Sequence, residues 1–422
     1  MNGADVAWRI IRSLTDFWTG RSVALLLPGL DGGARGVIED LERHGATVSV
    51  VVTATRPAAD APRVPHVWDC SAHGGPLSRR QFERWVHDPG PEVAAWLDDV
   101  DPARELVVLG NQYASITAFC GRTAHGRRRP EWGQWEDKVR VERLWRATGV
   151  ASPDHVVGPP GDSALRAAAA HLFGEWGVVV ARDSSRGFWG GSRGLTWVRH
   201  PADLNTCLDG LRDLADRVRI AGFVPGVPCS VIGLVLRDGV AVFDPIEIVT
   251  LCDPERSELL FCGTSTWWRP DDGIARDIRE AARRAGERLA AVVGFRGMFS
   301  VDGIVSGGRF LATELNPRLS GGLGLAEAWP ELSENLLHRG AQEALPGVHD
   351  ADPQLIEEAV RSAIRRVPSL DVVVPLPGGD VVELPHVRPR AGDGLVAPAV
   401  VAAVTARTLV SAAVEPVPPA VC

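Results

Sequence analysis

Two short apolar runs near residue 300 constrain the fold of this chain more than any other feature. Residues 298–305 and 309–315 carry β-branched side chains, and a Ser-Gly-Gly segment separates them, which predicts a β-hairpin. Because side chains alternate along a strand, the register decides which of them share a face. A three-residue loop closed by a left-handed glycine pairs Asp302 with Ala312. A two-residue loop would place Asp302 on the opposite face of the hairpin.

In the first of these registers Asp302, Glu314 and Asn316 share one face. Two carboxylates and an amide oxygen suit Mg²⁺, which keeps several waters and completes its shell with nucleotide phosphates. Arg318, just beyond Pro317, can offer a planar fork to a phosphate oxygen. Taken singly, Asp302 is better explained as a polar residue of an exposed hairpin. The whole set favours a magnesium and triphosphate site.

Composition restricts the class of protein. The chain has 422 residues, which predicts about two to three domains. Its 53 acidic and 45 basic residues give a net charge of −8, which argues against nucleic acid or a membrane surface as a partner. The seven cysteines form no Cys-x-x-Cys pair, so neither a zinc site nor a disulfide framework is expected. Residues 1–21 contain no uninterrupted apolar segment, so we expect no signal peptide and a cytoplasmic location.

Only one of the 45 basic residues is a lysine, Lys138. The arginine-rich composition could leave a single lysine by accident, or this position could require a compact ammonium instead of a guanidinium plane. The composition by itself favours neither explanation. The local pattern predicts a helix over residues 136–148, with Lys138 in its first turn.

The first 130 residues predict a doubly wound α/β domain. Residues 22–28 form a continuous apolar run followed by glycines and a helical pattern, and further strands are predicted at 47–52 and 105–109. Parallel strands buried on both faces have this composition. The ends of the strands could line a substrate pocket.

A glycine-rich segment follows in the middle of the chain. Residues 178–182 and 195–198 predict two strands, and the twelve residues between them contain four glycines and two arginines. Backbone N–H groups of such a loop can wrap phosphate oxygens, and the loop can close over a nucleotide. A hairpin tip without fixed structure is the alternative. The residues that would contact phosphate are Arg186, Gly187, Gly190, Gly191 and Arg193.

The order of these parts resembles the ATP-grasp superfamily. The resemblance is carried by the early lysine, the basic residue before the glycine-rich loop, Gly-Phe-Val-Pro-Gly at 222–226, Gly-Phe-Arg-Gly-x-Phe-x-Val-Asp at 294–302 and Glu-x-Asn-Pro-Arg at 314–318. It covers most of residues 20–345. It implies mixed α/β and α+β architecture: a pre-ATP-grasp domain (1–130), a small lobe with a glycine-rich lid (136–220), a large lobe with the metal hairpin (221–348) and a C-terminal extension (349–422).

The resemblance also implies roles for individual residues. Lys138 resembles the lysine that reaches the nucleotide phosphates, which favours the functional explanation of this residue. Arg182 stands where a second lysine is usual in the family. The implied metal ligands are Asp302, Glu314 and Asn316, with Arg318 binding phosphate. Arg296 is a candidate for holding the acceptor carboxylate or its acyl phosphate, and a structural ion pair explains it equally well.

Two departures from the family pattern concern the nucleotide. Arginine replaces lysine at position 182, which changes reach and geometry. The family often carries a carboxylate just before the hinge, which corresponds to Gly-Phe-Val-Pro-Gly at 222–226 in this chain. That carboxylate would fall at Ala221 or Gly222, and neither residue has one. Nothing in the sequence establishes that Glu247 compensates for it.

The resemblance implies an enzyme that joins a carboxylate to an amine. Such an ATP-dependent ligase forms an acyl phosphate, requires Mg²⁺, and releases ADP and phosphate. Residues 226–230, 238–242 and 245–247 look most similar to natural-product ligases of the pheganomycin type, which implies amino acid or peptide substrates. The alternatives are a nucleotide-binding protein without turnover and a kinase that releases a phosphorylated small molecule. A homodimer is left open.

Overall fold

The computed structural model describes residues 2–187, 194–253, 255–375, 381–384, 387–406 and 415–417. Within these ranges no helix is both long and apolar enough to cross a bilayer. The six cysteines in the described ranges form no disulfide. The strands in the described ranges form four sheets.

The N-terminal domain is built on a parallel sheet. In chain order its elements are α1 (Gly3–Trp18), β1 (Ser22–Leu27), α2 (Arg35–Arg43), β2 (Thr47–Thr53), β3 (His66–Asp69), α3 (Cys70–Gly74), α4 (Arg79–Trp85), α5 (Pro91–Val100), β4 (Val107–Gly110), β5 (Ala118–Phe119), β6 (Arg122–Thr123) and α6 (Pro130–Gly133). The sheet order is β3-β2-β1-β4 with parallel neighbours. Along β1, Val23 and Leu25 enter one apolar cluster and Ala24 and Leu26 another, so both faces are covered, as the apolar run predicted.

An antiparallel sheet forms the small lobe. Its elements are α7 (Glu142–Thr148), β7 (His155–Gly158), α8 (Ser163–Ala169), β8 (Val178–Arg182), β9 (Leu195–Val198), α9 (Leu204–Gly210) and β10 (Val218–Gly222), and the strand order is β7-β10-β8-β9. Val178 and Val180 pack with Leu204 and Leu208 in the core of this lobe. The alternate residues of β8 therefore face the opposite side.

The prediction of a helix beginning at residue 136 was wrong. Helix α7 begins at Glu142, and residues 134–136 form a short 3-10 turn. Between them the Asp137 carboxylate accepts from the backbone N–H groups of Val139 and Arg140, at 2.9 and 2.7 Å. An aspartate that satisfies local backbone donors competes with helix formation. Lys138 therefore lies in a loop and not in a helical turn.

A large antiparallel sheet forms the remaining lobe. Its elements are β11 (Val227–Val235), β12 (Val240–Val242), β13 (Ile246–Asp253), β14 (Glu258–Ser265), α10 (Asp272–Val293), β15 (Gly297–Ser306), β16 (Arg309–Asn316), α11 (Leu325–Ala328), α12 (Glu334–Gln342), α13 (Pro353–Arg366), β17 (Leu370–Pro375), β18 (Val381–Glu383), α14 (Ala397–Ala406) and β19 (Glu415–Pro416). The strand order is β16-β15-β11-β13-β14-β17-β18, with β12 on β11 and β19 on β13. Helix α10 covers one face, where Ala282 and Leu289 pack with Phe299. On the other face, Ile232, Leu234 and Met298 are buried in the apolar cluster that also contains Leu25, while Ser230 and Asp302 face the cleft.

The loop of the β15–β16 hairpin differs from the predicted one. Ser306 pairs with Arg309, so the loop has two residues, and both glycines have positive φ (Gly307 52°, Gly308 70°). This is the conformation that two-residue hairpins favour. A β-bulge between Asp302 and Gly303 then shifts the register, so that Asp302 pairs with Glu314 and not with Ala312. Because of the bulge, Asp302 lies on the same face as Glu314 and Asn316, which a regular hairpin with a two-residue loop would not allow.

Glu247 holds the C-terminal helix and not a nucleotide. Its carboxylate accepts from the backbone N–H groups of Val396 (2.7 Å) and Ala397 (2.9 Å) at the start of α14, and the residue is buried. Burial raises the pKa of Glu247 to about 7. A carboxylate at a helix N-terminus satisfies donors that the helix leaves free.

This pKa predicts a pH dependence of folding. Because the folded pKa lies above the ordinary value of 4.5, the contribution of Glu247 is fully present below about pH 4.5 and is lost as the pH rises through about 7. The full shift corresponds to roughly 3 kcal/mol. We expect Glu247→Gln to lose less stability than the wild type between pH 5 and pH 8. Urea unfolding at both pH values measures this, and equal losses in the two proteins would contradict the prediction.

Candidate nucleotide and metal site

A cavity of about 340 Å³ lies between the small-lobe sheet and the cleft face of the large-lobe sheet. One end is apolar and adjoins the segment that links β10 to β11. The other end is polar and adjoins the β15–β16 hairpin. The apolar lining comprises Pro153, Val179, Leu195, Ala221, Phe223, Val224, Pro228, Ile248, Leu259, Phe261, Ile304 and Val417. The polar lining includes Lys138, Arg219, Ser230, Ser300, Asp302, Thr313, Glu314, Asn316, Arg318 and Ser320.

The three predicted metal ligands lie together at the polar end. Asp302 and Glu314 are cross-strand partners, and Asn316 Nδ2 donates to Asp302 Oδ2 at 2.9 Å. The other oxygen of Asp302 accepts from Ser230 Oγ on β11 at 2.6 Å. The hairpin register and the neighbouring strand thus fix the position of the carboxylate. Lys138 Nζ donates to Glu314 Oε2 and brings a cation to the same place.

The electrostatics of this end suit a divalent cation. Burial, and next the charge of Glu314, raise the pKa of Asp302 to about 6. Two carboxylates held side by side repel each other, and a cation between them would relieve the repulsion. In the described part of the chain no group of three or more His, Cys, Asp and Glu side chains is arranged to hold a metal ion by itself. Two carboxylates and one amide oxygen fit Mg²⁺, which takes its other ligands from water and phosphate.

Lys138 is almost fully buried although it lies in a loop, with 4% of its surface exposed. The loop is held by Asp137, whose second oxygen accepts from both the backbone N–H and the hydroxyl of Ser184 at 2.7 Å. Ser184 opens the glycine-rich segment. One aspartate therefore connects the lysine to the base of that segment.

Arg318 lies where the hairpin meets the N-terminal domain. Its Nη2 donates to Asn316 Oδ1 at 2.8 Å, and its Nε lies 3.3 Å from Glu136 Oε1. The guanidinium carbon is 4.9 Å from the centre of the Tyr113 ring. Arg128 Nη2 donates to the same Glu136 oxygen at 2.5 Å. These contacts hold the plane of Arg318 at the border of the cavity.

Sequence reasoning missed Tyr113, Arg128 and Glu136. Tyr113 follows the end of β4, where the doubly wound pattern predicted a pocket, and it is the only tyrosine in the chain. A search of that loop for side chains with a polar tip would have found it. Glu136 gave no signal, because a single glutamate beside the tryptophan-rich connector is typical of an exposed turn. It is in fact buried, and burial raises its pKa.

Arg182 and Arg296 were predicted as site residues, and neither lines the cavity. Arg182 lies on the same face of β8 as Val180, which is the core side, and the Cys207 thiol is a neighbour there. It is absent from the lining of the cavity. Arg296 precedes β15, and its Nη1 donates to the carbonyl of Phe295 at 2.7 Å. Five strand residues lie between Arg296 and Asp302, which corresponds to about 20 Å along an extended strand. Neither arginine lines the cavity, and their roles in binding phosphate or carboxylate stay predictions.

The glycine-rich segment is only partly described. Gly190, Gly191 and Arg193 lie outside the described residues. Arg186 pairs with Asp216 at 2.9 Å on an exposed surface, and it does not line the cavity. Gly187 has a φ of 150°, and a Cβ built there would meet the Arg80 guanidinium at 2.5 Å. Arg80, at the start of α4, thus brings the N-terminal domain to the base of this segment.

The apolar end adjoins the hinge, residues 222–226. Ala221, Gly222, Phe223 and Val224 line the cavity there, and none carries a carboxylate. Glu247 does not substitute for one, since it holds α14. A purine at this end would be recognised by backbone groups and by apolar contacts.

Comparison with known proteins identifies the class of fold. No protein-family model matches the chain, and no curated protein matches its sequence. Solved structures do match. The chain has the ATP-grasp fold, with a doubly wound α/β domain in front of the two lobes.

Three of these structures illustrate the likeness. Biotin carboxylase from Campylobacter jejuni has a TM-score of 0.55 and 14% identity, covering 76% of this chain and 70% of that one. The ADP complex of N5-carboxyaminoimidazole ribonucleotide synthetase has a TM-score of 0.52 and 15% identity, covering 78% of both chains. The ATP complex of the corresponding synthase from Aspergillus clavatus has a TM-score of 0.51 and 19% identity, covering 77% and 78%. At these identities the likeness concerns the fold.

Proposed function

We propose that this protein is an ATP-dependent ligase that joins a carboxylate to an amine. The observation that carries the proposal is the convergence of Lys138, Asp302, Glu314, Asn316 and Arg318 at one end of the interlobe cavity. The opposite end is apolar and adjoins the hinge. A nucleotide placed along the cavity would have its base in apolar surroundings and its phosphates beside these charged groups. Proteins of the same fold have been crystallised with ADP and ATP.

Each charged residue has a role in this proposal. Mg²⁺ bound by Asp302, Glu314 and Asn316 would neutralise phosphate charge. Lys138 supplies a point charge to the phosphates, and its pairing with Glu314 holds the ammonium in place. Arg318 offers a planar fork, fixed by Asn316 and Glu136. Groups positioned before the reaction stabilise developing charge without further reorganisation.

The carboxylate substrate would lie between Arg318 and the N-terminal domain. There the guanidinium carbons of Arg79 and Arg318 are 3.7 and 4.9 Å from the centre of the Tyr113 ring. A substrate carboxylate oxygen would attack the γ-phosphorus, and ADP would leave. An amine nitrogen would then attack the acyl carbon, and phosphate would leave with that oxygen. Exclusion of water protects the acyl phosphate between the two steps.

The finer assignment concerns the substrates. The segments 226–230, 238–242 and 245–247 support amino acid or peptide substrates and a place in natural-product biosynthesis. The lack of disulfides among the described residues and the negative charge support a cytoplasmic setting without nucleic acid or membrane as partner. The proposal includes a homodimer. The interlobe cavity itself is lined by residues of a single chain.

A product survey tests the proposal. The protein is incubated with ATP, Mg²⁺ and pooled amino acids and short peptides, and ADP, phosphate and condensation products are measured by mass spectrometry. We expect ADP and free phosphate in equal amounts, only when carboxylate and amine are both present. ADP with a stable phosphorylated product would indicate a kinase. Tight ATP binding without ADP release in any pool would indicate a nucleotide-binding protein without turnover.

A further inference from the structure

We propose that Arg219 on β10 is a phosphate-binding residue of the nucleotide site, in place of the predicted Arg182. This inference rests on the proposed function and adds to it a residue that the sequence motifs did not indicate. Arg219 lines the cavity although it belongs to no glycine-rich or acidic motif. Strand register, the position of its head group and its remaining hydrogen-bonding capacity all support this role.

Strand register places Arg219 on the cleft side of the small lobe. In the antiparallel β8–β10 pair, Arg219 lies opposite Ala181, and Ala221 lies opposite Val179. Val179 and Ala221 line the cavity, so Ala181 and Arg219 share that face. Arg182 is opposite Val218, and both lie on the core side. On the cleft side β8 therefore carries Ala181, and the positively charged side chain of this sheet is Arg219 on β10.

The head group of Arg219 reaches across the cleft to the metal hairpin. Its Nη2 donates to the carbonyl oxygen of Thr313 at 3.2 Å, and Thr313 precedes Glu314. Its Nη1 forms an ion pair with Glu142 Oε1 on α7. The residue is 6% exposed. A buried guanidinium thus lies beside the same strand that carries two of the proposed metal ligands.

Arg219 retains capacity for an anionic ligand. Its buried Nε has no hydrogen-bond partner among the described residues. The paired Glu142 is itself shared, since it accepts from Ser152 Oγ at 2.8 Å and lies 3.6 Å from His155 Nε2. An arginine held by a shared carboxylate keeps its orientation while part of its fork is free to bind. Phosphate oxygens that enter between the lobes would meet this fork.

Nucleotide affinity tests the assignment. Dissociation constants for Mg-ATP, Mg-ADP and adenosine are measured by isothermal titration calorimetry for the wild type, Arg219→Ala and Arg219→Lys. A lost charged hydrogen bond predicts roughly 10- to 100-fold weaker ATP and ADP binding by Arg219→Ala. Adenosine affinity should stay within about threefold, because adenosine carries no phosphate. Arg219→Lys should recover part of the loss, since it keeps the charge.

Arg182→Ala is the matched control, because Arg182 lies on the next strand and faces the core. It should leave ATP affinity unchanged. An equal loss for ATP and adenosine in the Arg219 variants, or no loss for either, would show that Arg219 only connects the lobes and would overturn the assignment. If Arg219→Ala does not fold, the ratio of ATP to adenosine affinity in Arg219→Lys decides in the same way. Wild-type protein that does not bind Mg-ATP would overturn the proposed function as well.

Discussion

Replacing Glu314 with alanine will reduce ADP release by roughly 10³-fold and leave the fold largely intact. Glu314 is a cross-strand partner of Asp302 and contacts Lys138, so the change removes a proposed metal ligand and the partner of a buried ammonium together. Its side chain is 21% exposed and belongs to the cavity wall, not to an apolar cluster. Loss of a site residue therefore affects turnover far more than packing.

The rate of ADP release at saturating ATP and Mg²⁺ measures this effect. Arg309→Ala is the matched control, because Arg309 lies on the same strand, is exposed, and is five residues from Glu314. Circular dichroism compares the folds of the variants. Wild-type ADP release by a folded Glu314→Ala protein would remove Glu314 from the metal site.

Replacing Lys138 with alanine will weaken ATP binding by roughly 10- to 100-fold, because one charged contact to the phosphates is lost. Lys138→Arg should recover only part of the affinity. Lys138 is held beside Glu314 with 4% of its surface exposed, and a guanidinium is larger and planar. Calorimetric titration with Mg-ATP measures the change, and Arg140→Ala, an exposed neighbour in the same loop, is the control.

A double-mutant cycle separates phosphate binding from the ion pair. If Lys138 only neutralises Glu314, Lys138→Ala should weaken ATP binding in the wild type but have little further effect in a Glu314→Ala background. If it contacts phosphate, the loss should persist in that background. An unchanged ATP dissociation constant in the single variant Lys138→Ala would return the residue to a structural role.

The sequence predicted the β15–β16 hairpin well because its pattern is local. Apolar alternation and a glycine turn identify a hairpin, and three oxygen-bearing side chains within fifteen residues restrict the chemistry. The predicted loop length was wrong, yet the same three side chains lie together. The reason is the bulge after Asp302, which no residue type signals by itself. The shared face was thus predicted from a three-residue loop, whereas it results from a two-residue loop and a bulge.

Residues whose roles depend on distant partners could not be predicted. Arg182 and Arg219 are both arginines on small-lobe strands, and only the pairing of β8 with β10 shows which one faces the cleft. Tyr113 and Glu136 become part of the site because the N-terminal domain packs beside Arg318. Arg296 lies close in sequence to the hairpin, but it precedes β15 and does not line the cavity. Such contacts are set by tertiary packing.

Transfer of oxygen from the carboxylate to phosphate tests the central claim most directly. The protein is incubated with ATP, Mg²⁺, pooled amines and pooled carboxylates labelled with ¹⁸O, and the released phosphate is analysed by mass spectrometry. Attack of the carboxylate on the γ-phosphorus followed by attack of the amine predicts one ¹⁸O atom in each phosphate and none in ADP. Release of unlabelled phosphate together with a condensation product would contradict an acyl phosphate route, and with it the proposed chemistry of the interlobe cavity.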